Sequence, residues 1–258
     1  MSTTLSQEEY ILLVKQVNKL RQEVHLFNVE EISEAALDGL KHKISLFEKE
    51  YPDLISKESP NYTVAGGVLE GFEKYSHRKR MLSLTDVFDF EELKDWEKKW
   101  QNWADKEGIV YQNSSDIFGE YQESAYKYVC EPKLDGLAIS LIYKNGKLSN
   151  VVTRGDGFVG EDVTANARYI TGIPRAIEDK NDLEIRGEVF MSKRDFKELN
   201  EDIKQAKKIG TASKTGPEHT FKNPRNAASG TLRQLDSEVI SQRKLSFVAY
   251  SLEYFINS

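Results

Sequence analysis

Lys133, Asp135 and Gly136, in the tetrad Lys133-Leu134-Asp135-Gly136, are the residues best suited to chemistry. A lysine in a K-x-D-G setting can take a nucleoside monophosphate on its amine as a phosphoramidate. Three fixed residues are a weak signal alone, because an exposed lysine before an Asp-Gly turn reads the same way. The chemistry makes further demands. A free lysine amine titrates at about 10.4 and is a poor nucleophile at neutral pH. Desolvation or nearby cations must favour its neutral form, and the phosphoryl charge needs preorganised cations.

The surrounding sequence offers elements that could meet those demands. Leu137 to Lys144 is rich in branched and aromatic residues and reads as a strand. Asn145-Gly146 follows, then a second run from Lys147 to Arg154. Asn-Gly between two such runs predicts a two-residue hairpin turn. That turn pairs Lys144 with Lys147 and Leu137 with Arg154, which brings Arg154 towards the tetrad. Arg154-Gly155-Asp156-Gly157 has glycines that let backbone approach a ligand closely. Leu183 to Phe190 alternates, so Glu184, Arg186 and Glu188 share one strand face. Such a face either points to water or lines a polyanion pocket, and the pattern alone favours water.

Asn223-Pro224-Arg225-Asn226 reads as a helix start, with Asn223 as N-cap and Pro224 in the first turn. Arg225 and Arg233 lie about 80° apart on that helix. They are placed either to grip an anionic strand or to sit in solvent.

Taken together, Glu131-x-Lys133-x-Asp135-Gly136, Arg154-Gly155-Asp156-Gly157, Gly160-Glu161-Asp162, Arg186-Gly187-Glu188-Val189-Phe190 and Asn223-Pro224-Arg225-Asn226-Ala227-Ala228 resemble, in order and spacing, bacterial NAD⁺-dependent DNA ligases. Met81-Leu82-Ser83-Leu84 is similar to the stretch before the nucleotide pocket in that family. The resemblance implies that Lys133 is the nucleophile that attacks NAD⁺ and expels nicotinamide mononucleotide. It implies that Glu131 reads the adenine amino group and that Ser83 and Leu84 border the base. Asp135, Gly136, Arg154 and Glu188 would surround the ribose and phosphate of AMP. Arg225 and Arg233 resemble residues used on the phosphates of nicked duplex DNA. The AMP would pass to a 5′-phosphate, and a 3′-hydroxyl would displace it, as in replication and repair. NAD and Mg²⁺ are the implied cofactors. Mg²⁺ keeps most of its waters, so no dedicated protein cage is expected.

The N-terminal region reads as two amphipathic helices. One spans Ser6 to Val24, with Tyr10, Leu13, Val14, Val17 and Leu20 at helical spacing. The other runs from Ser33 towards Glu50, with Leu37, Leu40, Ile44 and Phe47 on one face. Ser56 to Gly67 reads as a linker. In the family this small domain holds the nicotinamide mononucleotide half through a Tyr-His pair and a later Asp-x-x-Tyr-Asp. Here His25, Glu34 and Asp38 keep the polar groups, whereas Val24 and Leu37 replace both tyrosines. Valine offers neither a stacking face nor a hydroxyl.

The expected fold class is α+β. A helical nicotinamide-mononucleotide-binding-like domain occupies residues 1–67. An antiparallel-sheet nucleotidyltransferase domain, ATP-grasp-like and of the DNA ligase adenylation type, occupies 68–258. Ala104 to Tyr128 reads as a polar insertion, and Lys204 to Lys222 as a basic tract. The family's adenylation domain runs on past the position of Ser258, so the chain reads as C-terminally truncated. Trp96, Trp100 and Trp103 have helical spacing and are expected to pack their helix onto the core.

A net charge of −6 over 258 residues argues against strong DNA affinity by this chain alone. A single cysteine, Cys130, excludes a disulfide framework. No signal peptide or membrane-length apolar run is visible, so the cytoplasm is the expected compartment; a monomer is expected as well. Two other classes share part of the pattern. One is an ATP- or GTP-using nucleotidyl transferase; the other is a non-catalytic remnant that binds a nucleotide or a partner.

Overall fold

The computed structural model describes residues 5–27, 34–63, 71–109, 128–209, 220–234 and 237–254. They form two compact units, one of residues 1–82 with 134–258 and one of residues 83–133.

Helix α1 spans Gln7–Phe27 and α2 spans Glu34–Glu50. Ser6 opens α1 with a capping box: its Oγ accepts the Glu9 amide at 3.3 Å, and Glu9 Oε2 accepts the Ser6 amide at 2.8 Å. The apolar stripes meet as the periodicity requires. Tyr10, Val14, Val17, Leu20, Leu37, Ile44 and Phe47 form one buried cluster, with Leu13 and Leu40 at its edge. The Tyr10 and Phe47 rings stack at 4.3 Å.

Residues 56–63 differ from the expected linker, because the helices bind their backbone. The Tyr10 hydroxyl donates to buried Glu48 at 2.8 Å and accepts the Ser56 amide at 2.9 Å. Asn18 donates to the Glu58 carbonyl, and Arg21 to the Thr63 carbonyl, each at 2.7 Å. A polar stretch looks like a linker in sequence, but here its polar groups are satisfied by the helix pair.

Further along, β1 is Lys74–Ser76 and α3 is Phe90–Lys106. Strands β2 (Leu137–Lys144), β3 (Lys147–Thr153) and β4 (Val159–Glu161) follow. Then come α4 (Thr164–Ala167), β5 (Ile170–Thr171) and β6 (Leu183–Phe190). Helices α5 (Lys193–Lys208), α6 (Pro224–Leu232) and α7 (Ser237–Ser241) precede β7 (Leu245–Tyr254).

The main sheet has the order β3-β2-β6-β7-β5. It is antiparallel except for β5, a two-residue edge strand that runs parallel to β7. Strands β1 and β4 pair separately and antiparallel. One sheet face carries Ile139, Leu141, Tyr143, Val151, Val189 and Phe247 into a core shared with α5 and α6. The other face carries Ser140, Glu184 and Arg186.

The hairpin forms as Asn-Gly predicts: Asn145 and Gly146 take φ 48° and 73°, and Lys144 pairs with Lys147. The far end of the hairpin does not keep that register. Tyr143 pairs with Leu148 but Ile142 with Asn150, so Ser149 is an extra, bulged residue. Arg154 therefore comes opposite Ala138, not Leu137, and its amide donates to the Ala138 carbonyl at 3.0 Å. A one-residue shift exchanges the two faces of a strand. The bulge thus takes Arg154 off the face of Leu137 and puts it on the polar face.

Two other expectations change. Among the α3 side chains the buried ones are Glu97 and Ala104, whereas Trp96 and Trp103 are exposed at 36% and 55%. Spacing placed the tryptophans together but could not say which face is covered. The polar insertion starts later than Ala104, since α3 runs through it to Lys106; residues 110–127 lie outside those described. Among the described residues no helix is long and apolar enough to cross a membrane.

Candidate active site

Asp135, Gly136, Arg154, Glu188 and Arg225 gather at one end of the polar sheet face. Ala138 on β2 is flanked by Arg154 on one side and pairs with Glu188 of β6 on the other. Gly136 is buried beneath this pair. A Cβ there would lie 2.1 Å from the Val189 carbonyl oxygen and 3.1 Å from Glu188 Cγ. Only glycine lets the chain pass so close to β6. Next to it, Asp135 is held by Arg225, with Nη1 and Oδ1 3.0 Å apart. Arg225 is in the first turn of α6, whose N-cap Asn223 accepts the Asn226 amide at 2.7 Å.

Arg154 is half-buried and electrostatically crowded. Burial lowers its pKa; repulsion from Arg225 lowers it further, and Glu188 opposes both. Arg21 from α1 feels Arg154 too. It is pushed down to about 10, mainly by its own burial and then by Arg154. Crowded arginines beside a carboxylate favour a bound anion, which relieves their repulsion.

The Arg154-Gly155-Asp156-Gly157 turn is built tightly. Gly155 has φ 57°, and a Cβ there would meet the Val159 carbonyl at 1.8 Å. The Gly157 amide returns to the Arg154 carbonyl at 3.0 Å, and Asp156 Oδ1 accepts the Phe158 and Val159 amides, each at 2.8 Å. Glu161, fully buried, accepts Thr153 Oγ1 at 3.1 Å and Arg233 Nε at 2.9 Å.

Arg233 is therefore not spread along a helix surface with Arg225. It caps the C-terminal end of α6, and its side chain is only 7% exposed against Glu161. The alternating face of β6 is likewise buried rather than solvated. Glu184 and Arg186 are 2% and 8% exposed and paired at 2.7 Å.

Tyr250 was not singled out by the sequence. It is an extra residue of β7 between the Gly187–Ala249 and Arg186–Ser251 pairs. Burial and Glu188 raise its phenol pKa, while Arg154 lowers it. The residue is 55% exposed and brings an aromatic side chain beside the charged pair. No spacing rule could have found it, because a bulge displaced it.

In the 83–133 unit, Ser83, Leu84, Glu131 and Lys133 are all exposed. Lys133 precedes Asp135 by two residues in the chain. On the helix pair, Asp38 is ion-paired to Lys41 at 3.1 Å. The side chains of His25 and Glu34 lie outside those described. Leu37 is part of the helical core.

Residues 69–257 match the sequence profile described as the NAD-dependent DNA ligase adenylation domain. This chain belongs to that family. The α+β sheet of this adenylation domain is consistent with a nucleotidyltransferase fold. Similarity to full ligases extends over nearly the whole chain. It is 36% identical to a DNA ligase of Wolinella succinogenes over 248 residues, 96% of this chain and 34% of that protein. A DNA ligase of Aliarcobacter butzleri is 40% identical over the same coverage. One of Helicobacter pylori is 39% identical over 249 residues, 96% of this chain and 33% of that protein. The chain thus spans about a third of the length of these ligases. Their match to the helical N-terminus as well as the adenylation domain rules out a chance K-x-D-G.

Proposed function

We propose that this chain transfers AMP from NAD⁺ to the amine of Lys133. The neutral amine attacks the α-phosphorus. A nitrogen–phosphorus bond forms, the bond to the bridging oxygen breaks, and nicotinamide mononucleotide leaves with that oxygen while the amine releases a proton. The observation that carries this reading is the convergence of Asp135, Arg154, Glu188 and Arg225 on one end of the polar sheet face, two residues along the chain from Lys133. Family membership gives that cluster its chemical meaning.

Each residue has a proposed role. Arg154 supplies positive charge to the phosphate as it becomes five-coordinate. Asp135 and Glu188 take ribose hydroxyls, and Gly136 lets the ligand lie against the sheet. Glu131 accepts the adenine amino group, and Ser83 and Leu84 border the base. His25, Glu34 and Asp38 hold the nicotinamide mononucleotide half. The small helical domain of residues 1–67 and the adenylation domain of 68–258 divide the dinucleotide between them.

Mg²⁺ fits this donor set as a hydrated, phosphate-bound ion. Among the described residues there is no group of three or more His, Cys, Asp or Glu side chains able to hold a metal. Asp135 and Glu188 would accept hydrogen bonds from its waters. When bound, the ion would offset phosphate charge.

The acceptor is the 5′-phosphate of nicked duplex DNA, and a 3′-hydroxyl then displaces AMP to join the strand. Arg225 serves the DNA phosphates. Arg233, held by Glu161, shapes the end of α6 and the adjoining turn. Intact mass measurement after incubation with NAD⁺, ATP or neither tests the reading: one AMP is gained from NAD⁺, none from ATP.

A further inference from the structure

One buried cation, Arg186, takes no part in the roles above. Its Nε bonds Glu184 Oε1 at 2.7 Å, and the same oxygen accepts Ser140 Oγ at 2.5 Å. The two terminal nitrogens point away from Glu184. Nη2 donates to the Lys79 carbonyl at 2.6 Å and Nη1 to the Arg80 carbonyl at 3.1 Å. A buried guanidinium with one edge on a carboxylate and two donors on successive carbonyls has the geometry of an anchor.

The anchored segment is a strap. Residues 74–76 pair with β4, and the Asp162 amide donates to the Glu73 carbonyl at 2.8 Å. The strap then embraces the Arg154–Gly157 turn. The His77 amide donates to the Phe158 carbonyl at 2.8 Å, and the Met81 amide to the Gly157 carbonyl at 2.9 Å. His77 Nε2 lies 3.1 Å from the Thr153 carbonyl and 3.2 Å from that of Arg154. Only a protonated Nε2 can donate to both. Arg80 also stacks over the Phe158 ring at 4.7 Å. The turn that carries Arg154 is thus clasped by a segment whose buried hold on the sheet face is Arg186, with a more exposed ion pair from Lys79 Nζ to Glu253 of β7 at 2.8 Å beside it.

We propose that Arg186 is a positioning residue that locks the 74–81 strap onto the sheet and, through His77 and Met81, sets the placement of Arg154. The catalytic consequence rests on the proposed role of Arg154 in AMP transfer. Small displacements of a charge-stabilising group cost rate steeply: about 1 Å can cost about 100-fold.

Arg186→Lys is the informative variant. Lysine keeps a cation against Glu184 but cannot span two carbonyls while doing so. A second variant, Glu184→Met/Arg186→Met, removes both charges and avoids stranding a buried carboxylate. Amide hydrogen exchange in the full chain gives a readout independent of activity. Exchange at the His77 and Met81 amides should rise about 10-fold or more in both variants, while amides of the β2–β6 ladder stay protected. The first-order rate constant for Lys133 adenylation at saturating NAD⁺ should fall about 10- to 100-fold with full final amplitude. In an Arg154→Ala background, Arg186→Lys should change that rate constant little further. A role in folding alone predicts the reverse pattern, lower amplitude with an unchanged rate constant, and would overturn the proposal. So would unchanged exchange at His77 and Met81. An unaltered chain that forms no adduct would overturn the AMP-transfer reading instead, and exchange would still decide the anchor.

Discussion

Arg154, the residue after β3, and Glu188 of β6 flank Ala138 of β2 from its two sides. The relationship exists because Ser149 is bulged out of the hairpin. If the same residues paired without a bulge, Arg154 would fall opposite Leu137 and share the face of Leu137 and Ile139, which packs into the core. The bulged pairing thus decides whether the cation meets the polar face or a hydrophobic interior.

Arg154→Ala should slow single-turnover adenylation of Lys133 by about 100- to 1,000-fold, the usual loss for one preorganised charge-stabilising donor. Quench-flow or timed mass measurement at saturating NAD⁺ reads this directly. A variant within a few-fold of the unaltered rate would remove Arg154 from the transition state. Deleting Ser149 should by contrast leave adenylation within a few-fold, because it removes the bulge while Arg154 still falls opposite Ala138.

Gly136→Ala is predicted to cost about 1–3 kcal/mol or more, since the added methyl meets backbone, not a flexible side-chain tip. It should also displace Glu188, whose Cγ would lie 3.1 Å from that methyl. Denaturant titration with a parallel NAD⁺ binding measurement would show both effects together. A fully stable variant with normal binding contradicts the close approach.

Leu37, which the resemblance sets against a family tyrosine, is 9% exposed and lies in one buried cluster with Val17, Ile44 and Phe47. Restoring the ring is therefore not a simple gain. Leu37→Tyr should destabilise the helix pair by about 1–3 kcal/mol through overpacking, seen as a lower thermal midpoint. Any improvement in NAD⁺ use by Val24→Tyr/Leu37→Tyr has to exceed that cost. A lost aromatic contact is worth about 0.5–1.5 kcal/mol.

Burial lowers the pKa of His77, although Glu184 and the Thr153 and Arg154 carbonyls oppose this. The unfolded chain therefore binds a proton more readily than the folded one. The stabilisation is complete above the unfolded value of about 6.5 and is lost as pH falls towards the lower folded value. Thermal midpoints compared between the native chain and His77→Gln from pH 8 to pH 5 should diverge least at low pH. A difference that grows with acidity would have the wrong sign.

Much of the fold was legible in the chain. Asn145-Gly146 fixed the hairpin turn, Asn223-Pro224 the start of α6, and the Tyr10-to-Leu20 stripe the helical core. Other features depend on contacts distant in sequence. Arg233 looked like a helix-surface cation until Glu161, 72 residues away, was seen to hold it. Arg186 and Glu184 looked solvated because alternation shows which residues share a face, not whether a strap covers it. The Trp96–Trp103 stripe failed for the same reason. The Ser149 bulge left no mark, since Ser149-Asn150 reads as ordinary polar strand residues.

The central claim is that Lys133 accepts AMP from NAD⁺. The most direct test is intact mass measurement of the chain after incubation with NAD⁺ and Mg²⁺, following removal of any AMP carried over from expression. The native chain should gain the mass of one AMP, peptide mapping should place it on Lys133, and a folded Lys133→Ala variant should gain nothing. An adduct that persists in Lys133→Ala, or that maps to another lysine, would contradict the account.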